Sequence, residues 1–533
     1  MTYLRKNIEF LFIVVLFCIL INLIHGFSPN DDVVFKLTIM NGLPFYGFTD
    51  ASISQGRFNP VGGLIFNLVL LKPNISYFFY LVTLEFIIYS FLFYSILLTI
   101  LKDKYQALSV FILFLLIPAS TIVWTKLTLG ERDLILFITI FIFTYISNFK
   151  NILRYPTLLV CSNLAIYTKE PIGIIFIVLS ILNIKFENKE NKDDKLINIL
   201  IILSSCLYYL IFLYLTRNNT GVNYGSILNE SISITTLKNL FNYILFSDSL
   251  IFIICIPIFI LRLHDLVKNR FLNYSIYDGF LSAGLAYSAA FLFLNIYQPY
   301  YLTPAYILLI PAICFYFKNT LLIKKIKTNC LIVIFLYLIN VLPTGIHYLT
   351  RQFYLPKNFN SAISALAIEI KKNNEIGIKP TIFIDGRHLN YGVGEYHLFE
   401  IFLKDKGLSN ENYDMATNLG AKPNIYPEII DWPRDHFQVY RQSAPVKIGP
   451  NDLLLLTSED ERNHSLVINN LKSENFVEIF RTESPLFFPQ FNLKSLSKYF
   501  LINYLDQSYS SKIVKSENID NSPDFYIFKL NEK

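Results

Sequence analysis

ISYFFYLVTLEFIIYSFLFYSILLTIL, residues 75–101, is the stretch that decides the fold. A helix needs about 20 mostly apolar residues to cross a hydrocarbon core, and this run is longer than that. Similar runs recur on both sides of it. They lie near 7–25, 105–124, 129–147, 153–168, 171–184, 196–215, 246–262, 276–296, 302–317 and 328–347. With 75–101 they make about eleven candidate spans and predict a polytopic α-helical membrane protein. The composition agrees: 53% of residues are hydrophobic and only 16% are charged. Mean hydropathy is +0.44. Soluble domains are rarely so apolar. The net charge of +6 is spread along the chain. It reads as membrane orientation and excludes a nucleic-acid footprint.

The ends of the spans set the orientation. Met1–Lys6 is short and basic and leads into an apolar run to about Ile24, with no small-residue cleavage pattern after it. It reads as a retained helix rather than a removed signal. With the N-terminus cytoplasmic, basic residues fill each inner loop. These are Lys102 and Lys104, then Lys150 and Arg154, then Lys185, Lys189, Lys192 and Lys195. Arg262, Lys268 and Arg270 follow, and finally Lys318, Lys324, Lys325 and Lys327. Segments 26–74, 124–132, 168–170, 216–245 and 297–301, and the tail from about Thr350, then face outward. The spans on either side of Lys169-Glu170-Pro171 are short, and a tight helical hairpin and a re-entrant hairpin both fit them. The apolar runs 61–71 and 233–246 are expected to lie along the interface.

The six cysteines fall in or at the edge of apolar runs, with neither a disulfide framework nor zinc-type spacing. The tail is different material, rich in Asn, Asp and Glu. A helix is expected over 361–373, strands at Thr381–Asp385, Asp452–Thr457, Phe476–Arg481 and Phe525–Lys529, and a helix near 461–473. Strands alternating with helices predict a small α/β domain. The chain therefore divides into a membrane part, 1–349, and an outer domain, 350–533.

Chemistry concentrates in the outer loops. Asp31 and Asp32 follow the first span. One carboxylate can act as general base on an acceptor hydroxyl while the other binds acceptor or metal. The plainer reading is that Asn30-Asp31-Asp32 caps a helix starting at Val33. Gly130-Glu131-Arg132-Asp133 opens the fourth span. Arg132 has the fork to grip a phosphate, while Glu131 or Asp133 supports the carboxylates Asp31 and Asp32. Equally, acids at a helix start stabilise its dipole, and an arginine snorkels. Lys126 is a weaker candidate of the same kind. Lys169, at the outer end of the short hairpin, can pair with a lipid phosphate; otherwise Lys169 and Glu170 are an interfacial pair. Pro171 suits a helix start. Arg57, in a turn-rich stretch, reads first as an anchor and second as a phosphate or sugar ligand. Tyr300 and Tyr301, before Thr303-Pro304, fit an interfacial belt and also fit stacking on a sugar. His25 is the histidine nearest the aspartates. No Walker loop, dinucleotide fingerprint or nucleophile elbow occurs. Asp385-Gly386 reads as turn chemistry.

This placement of motifs resembles the GT-C superfamily of integral-membrane glycosyltransferases, such as protein O-mannosyltransferases and the aminoarabinose transferases of lipid A. The resemblance covers about residues 1–350. It rests on Asn30-Asp31-Asp32 after span one, Glu131-Arg132-Asp133 at span four, Lys169-Glu170-Pro171 after span five, and Tyr300-Tyr301-Leu302-Thr303-Pro304 at a late span. Asp-Asp with Gly56-Arg57 departs from the Asp-Glu of the mannosyltransferase branch and is similar to the bacterial O-antigen glucosyltransferases.

The resemblance implies transfer of a sugar from a polyprenyl-phosphate donor to a hydroxyl of a glycan, lipid or protein acceptor, with inversion. It implies that Asp31 or Asp32 is the base, and that Lys169, Arg132 and Arg57 stabilise the leaving phosphate. A divalent metal, Mg or Mn, is compatible with Asp-rich members and is not required. The composition bias fits a bacterial inner membrane, with the tail periplasmic. Two other functions stay open. One is a polymerase or ligase of lipid-linked glycans. The other is a transporter or flippase, against which the chain has no paired half-sequences and few ionisable groups at mid-span.

Overall fold

The computed structural model describes residues 7–24, 26–28, 32, 35–36, 57–69, 74–127, 129–147, 149–186, 192–217, 250–293, 298–319, 327–384, 393–417, 438–439, 448–456, 464–489 and 522–531. Asp31, His25, the run 233–246 and Asp385-Gly386 lie outside them. The chain forms two compact units. One comprises Met1–Leu23 and Leu37–Gly345, the other Ile24–Lys36 and Ile346–Lys533.

Among the described residues the first unit is helical. In chain order it contains α1 (Ile8–Leu23), α2 (Leu64–Leu68), α3 (Ile75–Leu101), α4 (Lys104–Leu115), α5 (Pro118–Thr125), α6 (Glu131–Ile146), α7 (Asn151–Thr168), α8 (Gly173–Phe186), α9 (Lys192–Thr216), α10 (Ile256–Lys268), α11 (Ile276–Phe293) and α12 (Thr303–Asn319). Next comes α13 (Lys327–Glu375), and the division between the units falls inside it. Among the described residues three helices are long and apolar enough to cross a membrane: Ser76–Leu101, Asp193–Thr216 and Pro299–Asn319. The pair α4 and α5 would make a fourth if counted as one span.

The span expected over 105–124 is present as this broken pair. Its halves are bent by 69°. Ile117 is extended, at ψ 135°, because it precedes Pro118, whose ring disfavours helical geometry in the residue before it. Helix α9 shows the solvent for which the unit is built. Leu200, Leu203, Leu207, Leu210 and Leu213 are all exposed along it. Their spacing sets one face of a helix outward, and that face is apolar, the reverse of a helix in water. By contrast α12 is mostly buried, packed between α11, α3 and α6.

The second unit is α/β. After α13 come β1 (Thr381–Ile384), α14 (Val393–Asp405), β2 (Asp414–Thr417), β3 (Gln438–Val439), β4 (Leu453–Leu456), α15 (His464–Ser473), β5 (Phe476–Arg481) and β6 (Tyr526–Leu530). The sheet order is β3-β2-β1-β4-β6-β5. The centre, β2-β1-β4, is parallel, and the strands flanking it pair antiparallel. Both faces are covered. Ile382, Ile384, Leu453 and Leu455 pack with Phe359, Leu366 and Phe402 on one side, and Phe383, Leu454 and Leu456 pack with Leu471 on the other. Continuous apolar strands such as Leu453–Leu456 follow from burial on two faces. Strands β1, β4, β5 and β6 and helix α15 stand where the sequence pattern puts them. Helix α14 and strands β2 and β3 were missed, and the expected helix 361–373 is the end of α13.

Candidate functional site

The first turn of α6 carries Glu131, Arg132 and Asp133, and all three are buried. Buried charges need partners, and each finds a different one. Glu131 forms an ion pair with Lys169. The backbone of Lys169 is extended, between the end of α7 and a 3-10 turn at Glu170–Ile172 whose second residue is Pro171. This break in the helix aims the lysine sideways. Its Nζ sits 3.8 Å from the ring centroid of Tyr301. Tyr301 lies in a second proline-opened 3-10 turn, Pro299–Leu302, which leads into α12. The tertiary fold therefore joins three segments singled out independently in the sequence: Glu131, Lys169 and Tyr301. Tyr300 adjoins Tyr301, with ring centroids 4.4 Å apart.

Arg132 takes another role. Only 1% exposed, it donates to the carbonyls of Val123 (3.0 Å), Lys126 (2.7 Å) and Leu127 (2.5 Å). These carbonyls close the end of α5, which has no further helical turn to satisfy them. The guanidinium also lies 5.3 Å from the Phe78 ring and 5.7 Å from that of Phe66. The fork expected to hold phosphate instead holds the protein's own backbone. Lys126, half-buried, is the C-cap of α5 and contributes its carbonyl to that fork.

Asp133 accepts from the Ile65 amide at 3.4 Å, at the start of α2, and lies within electrostatic reach of Glu85 of α3. Glu85 was overlooked, although a lone acid inside an apolar run is a signal of function. The Arg57 segment is fastened nearby. Phe58 stacks on Tyr208, and its carbonyl accepts the Tyr208 hydroxyl at 2.6 Å. The Val61 amide donates to the Tyr167 carbonyl at 3.1 Å. Gly63, which starts α2, has φ +73°, a conformation that favours glycine. Arg57 itself is half-buried.

Glu170 is half-buried, with Oε1 enclosed and without a hydrogen-bond partner among the described residues. The hydroxyl of Tyr287 on α11 is in the same condition, and that residue is fully buried. Glu131, Tyr209 and Glu170 lie within electrostatic reach of it. Tyr287 carries no sequence signal, being one of 35 tyrosines.

Asp32 belongs to the second unit. It is buried and accepts from the Ser28 amide at 2.9 Å and from the Ser28 hydroxyl. In the same unit Lys36 pairs with Asp405 and sits 3.7 Å from the Phe402 ring centroid. Among the described residues no group of three or more His, Cys, Asp or Glu is arranged to hold a metal ion. Comparison with protein-family models and with the curated proteins finds no match.

Proposed function

We propose that the chain is a GT-C-type membrane glycosyltransferase that moves a sugar from a polyprenyl-phosphate donor to an acceptor hydroxyl. The observation that supports this most is the meeting of Glu131, Lys169 and Tyr301. It supplies a half-buried cation, a buried carboxylate that holds it, and an aromatic ring, all at the ends of apolar helices. On this reading Asp31 or Asp32 takes the proton of the acceptor hydroxyl. The freed oxygen bonds to the anomeric carbon from the side opposite the phosphate. The old carbon–oxygen bond breaks, and its electron pair leaves with the phosphate. Lys169 stabilises that departing anion by preorganised charge. Arg132 is a positioning residue for α5 and α6, and Arg57 and Lys126 are the further outer cations assigned to the phosphate on this reading. The eleven-span topology, the cytoplasmic N-terminus and the outward-facing second unit in a bacterial inner membrane are parts of the same proposal.

Glu85 favours a second reading. An ionisable group inside an apolar helix is what proton-coupled transport requires. The test is transfer of radiolabelled sugar from polyprenyl-phosphate donors by the purified full chain, with wild type beside Asp31→Asn, Asp32→Asn and Lys169→Met. The expected result is transfer by wild type, with at least one aspartate variant folding normally, binding donor and losing transfer. Wild type that consumes no lipid-phosphate sugar, or normal transfer in all three variants, would overturn the assignment. Loss of proton-dependent uptake in Glu85→Gln proteoliposomes would then establish the transport reading.

A further inference from the structure

Two helices of the first unit stop side by side. Helix α8 ends at Lys185-Phe186, and α10 ends at Lys268 and turns through Asn269–Ser275 into α11. The Phe271 ring stacks on that of Phe186, with centroids 4.1 Å apart and planes 13° from parallel, and the Tyr274 ring lies 5.9 Å from Phe186. The Tyr274 hydroxyl donates to Asn183 of α8 at 2.8 Å. This stack fastens the turn to the end of α8 and sets the neighbours of its two rings, Lys185 and Arg270, beside each other. The turn is built against backbone preference. Arg270 and Phe271 have φ of +48° and +61°, where a Cβ is disfavoured and glycine is usual after a helix. Two strained residues in succession call for a use of their side chains. Phe271 has one in the stack. Arg270 is exposed, as are Lys268 and Lys185.

Charge and surface together identify the ligand. The acids of α10, the turn and the first turn of α11 are Asp265 and Asp278, and Arg262 engages both, at 2.6 and 3.0 Å. Lys185, Lys268 and Arg270 have no acidic partner among the described residues. Apolar surface accompanies them. Ile260, Leu263 and Val267 are exposed along α10 at three- and four-residue spacing, which is one face of the helix, and Leu272 in the turn is 71% exposed. Acyl chains cover such a face, and uncompensated cations at its end attract a phosphate. One molecule meets both demands. A free phosphate leaves the apolar face uncovered, and a zwitterionic headgroup brings a cation of its own to the lysines. We infer that the end of α8 and the α10–α11 turn form a binding site for an anionic phospholipid, its phosphate held by Lys185, Lys268 and Arg270 and its chains lying along Ile260, Leu263 and Val267. The site depends on the membrane reading of the unit and not on the reaction that the protein performs.

The test measures lipid retention. The full chain, purified in neutral detergent, is titrated with phosphatidylglycerol and with phosphatidylcholine, and bound lipid is counted by native mass spectrometry. Glycerol phosphate is the competitor without chains. Wild type is expected to prefer phosphatidylglycerol by up to about a hundredfold, about fivefold for each cation, and to keep it against glycerol phosphate. Lys185→Gln, Lys268→Gln and Arg270→Gln are each expected to lose about fivefold of the preference, and the triple variant all of it. Lys150→Gln, which removes an exposed lysine at the start of α7, is expected to lose none. Arg270→Gly separates binding from turn geometry. It relieves the left-handed backbone, so the fivefold loss is expected without a fall in unfolding temperature. The inference is overturned by equal binding of the two lipids, by displacement with glycerol phosphate, or by a triple variant or an Arg270→Gly protein that keeps the full preference. An equal loss in Lys150→Gln would also overturn it, because total charge and not this site would then be responsible.

Discussion

Replacing Arg132 by lysine keeps the positive charge and removes the fork, so it separates a residue that grips phosphate from one that fastens the protein to itself. The side chain is 1% exposed and spans three carbonyls at 3.0, 2.7 and 2.5 Å. A lysine ammonium on a thinner stem can reach one of these and leaves two without a donor. Hydrogen bonds to a charged group contribute about 1.5–3 kcal/mol each, so losing two gives about 3–6 kcal/mol before relaxation. Contact with the Phe66 and Phe78 rings persists in part, and water that enters the end of α5 recovers some of the rest. The expected loss is therefore about 3 kcal/mol, a large share of the stability of an ordinary domain. Equilibrium unfolding of purified protein in mixed micelles measures it, paired with donor titration on the folded fraction. Capping predicts a destabilised protein whose folded fraction binds donor as wild type does. A variant within about 0.5 kcal/mol of wild type, a size ordinary for a surface substitution, that has lost donor affinity would refute the capping argument and restore Arg132 as a phosphate ligand.

Gly63→Ala tests how the first outer segment is held. At φ +73° an added Cβ costs about 1–2 kcal/mol, and the unfolding free energy should fall by that amount. No change would mean that α2 starts differently. Lys36→Met tests the fastening of Ile24–Lys36 within the second unit. It removes an ion pair and a cation–aromatic contact at 3.7 Å. Because Asp405 is 42% exposed, screening limits the loss to about 1 kcal/mol, read by thermal unfolding and by protease protection of the 24–36 segment. Protection equal to wild type would show that Phe27 and Phe35 suffice without the charge.

Much of the architecture was legible because its causes are local. Residues 75–101 form α3, a run long and apolar enough to cross a membrane. The central strands β1 and β4 were legible because burial on both faces writes a run such as Leu453–Leu456, with no polar interruption. Strands β2 and β3 were not, because Asp414–Thr417 has polar residues at both ends in place of a continuous apolar run and Gln438–Val439 has only two residues. The bend at Ile117 was written in Pro118 but was outweighed by the hydropathy of the segment.

The site divides in the same way. Sequence marked Glu131, Lys169 and Tyr301 one at a time, as charges or rings at the ends of apolar runs, and gave Arg132 and Lys169 the same role. Only the fold sent Lys169 to a carboxylate and a ring, and Arg132 to three carbonyls. It also brought in Tyr287, an unremarkable residue in its own helix. Hydropathy and helix ends depend on neighbours within a few positions, so the sequence alone determined them. Which buried charge meets which partner depends on how the elements pack, across 5–9 positions for Arg132 and its carbonyls and 38 for Lys169 and Glu131, and burial penalises an ionised group that finds none.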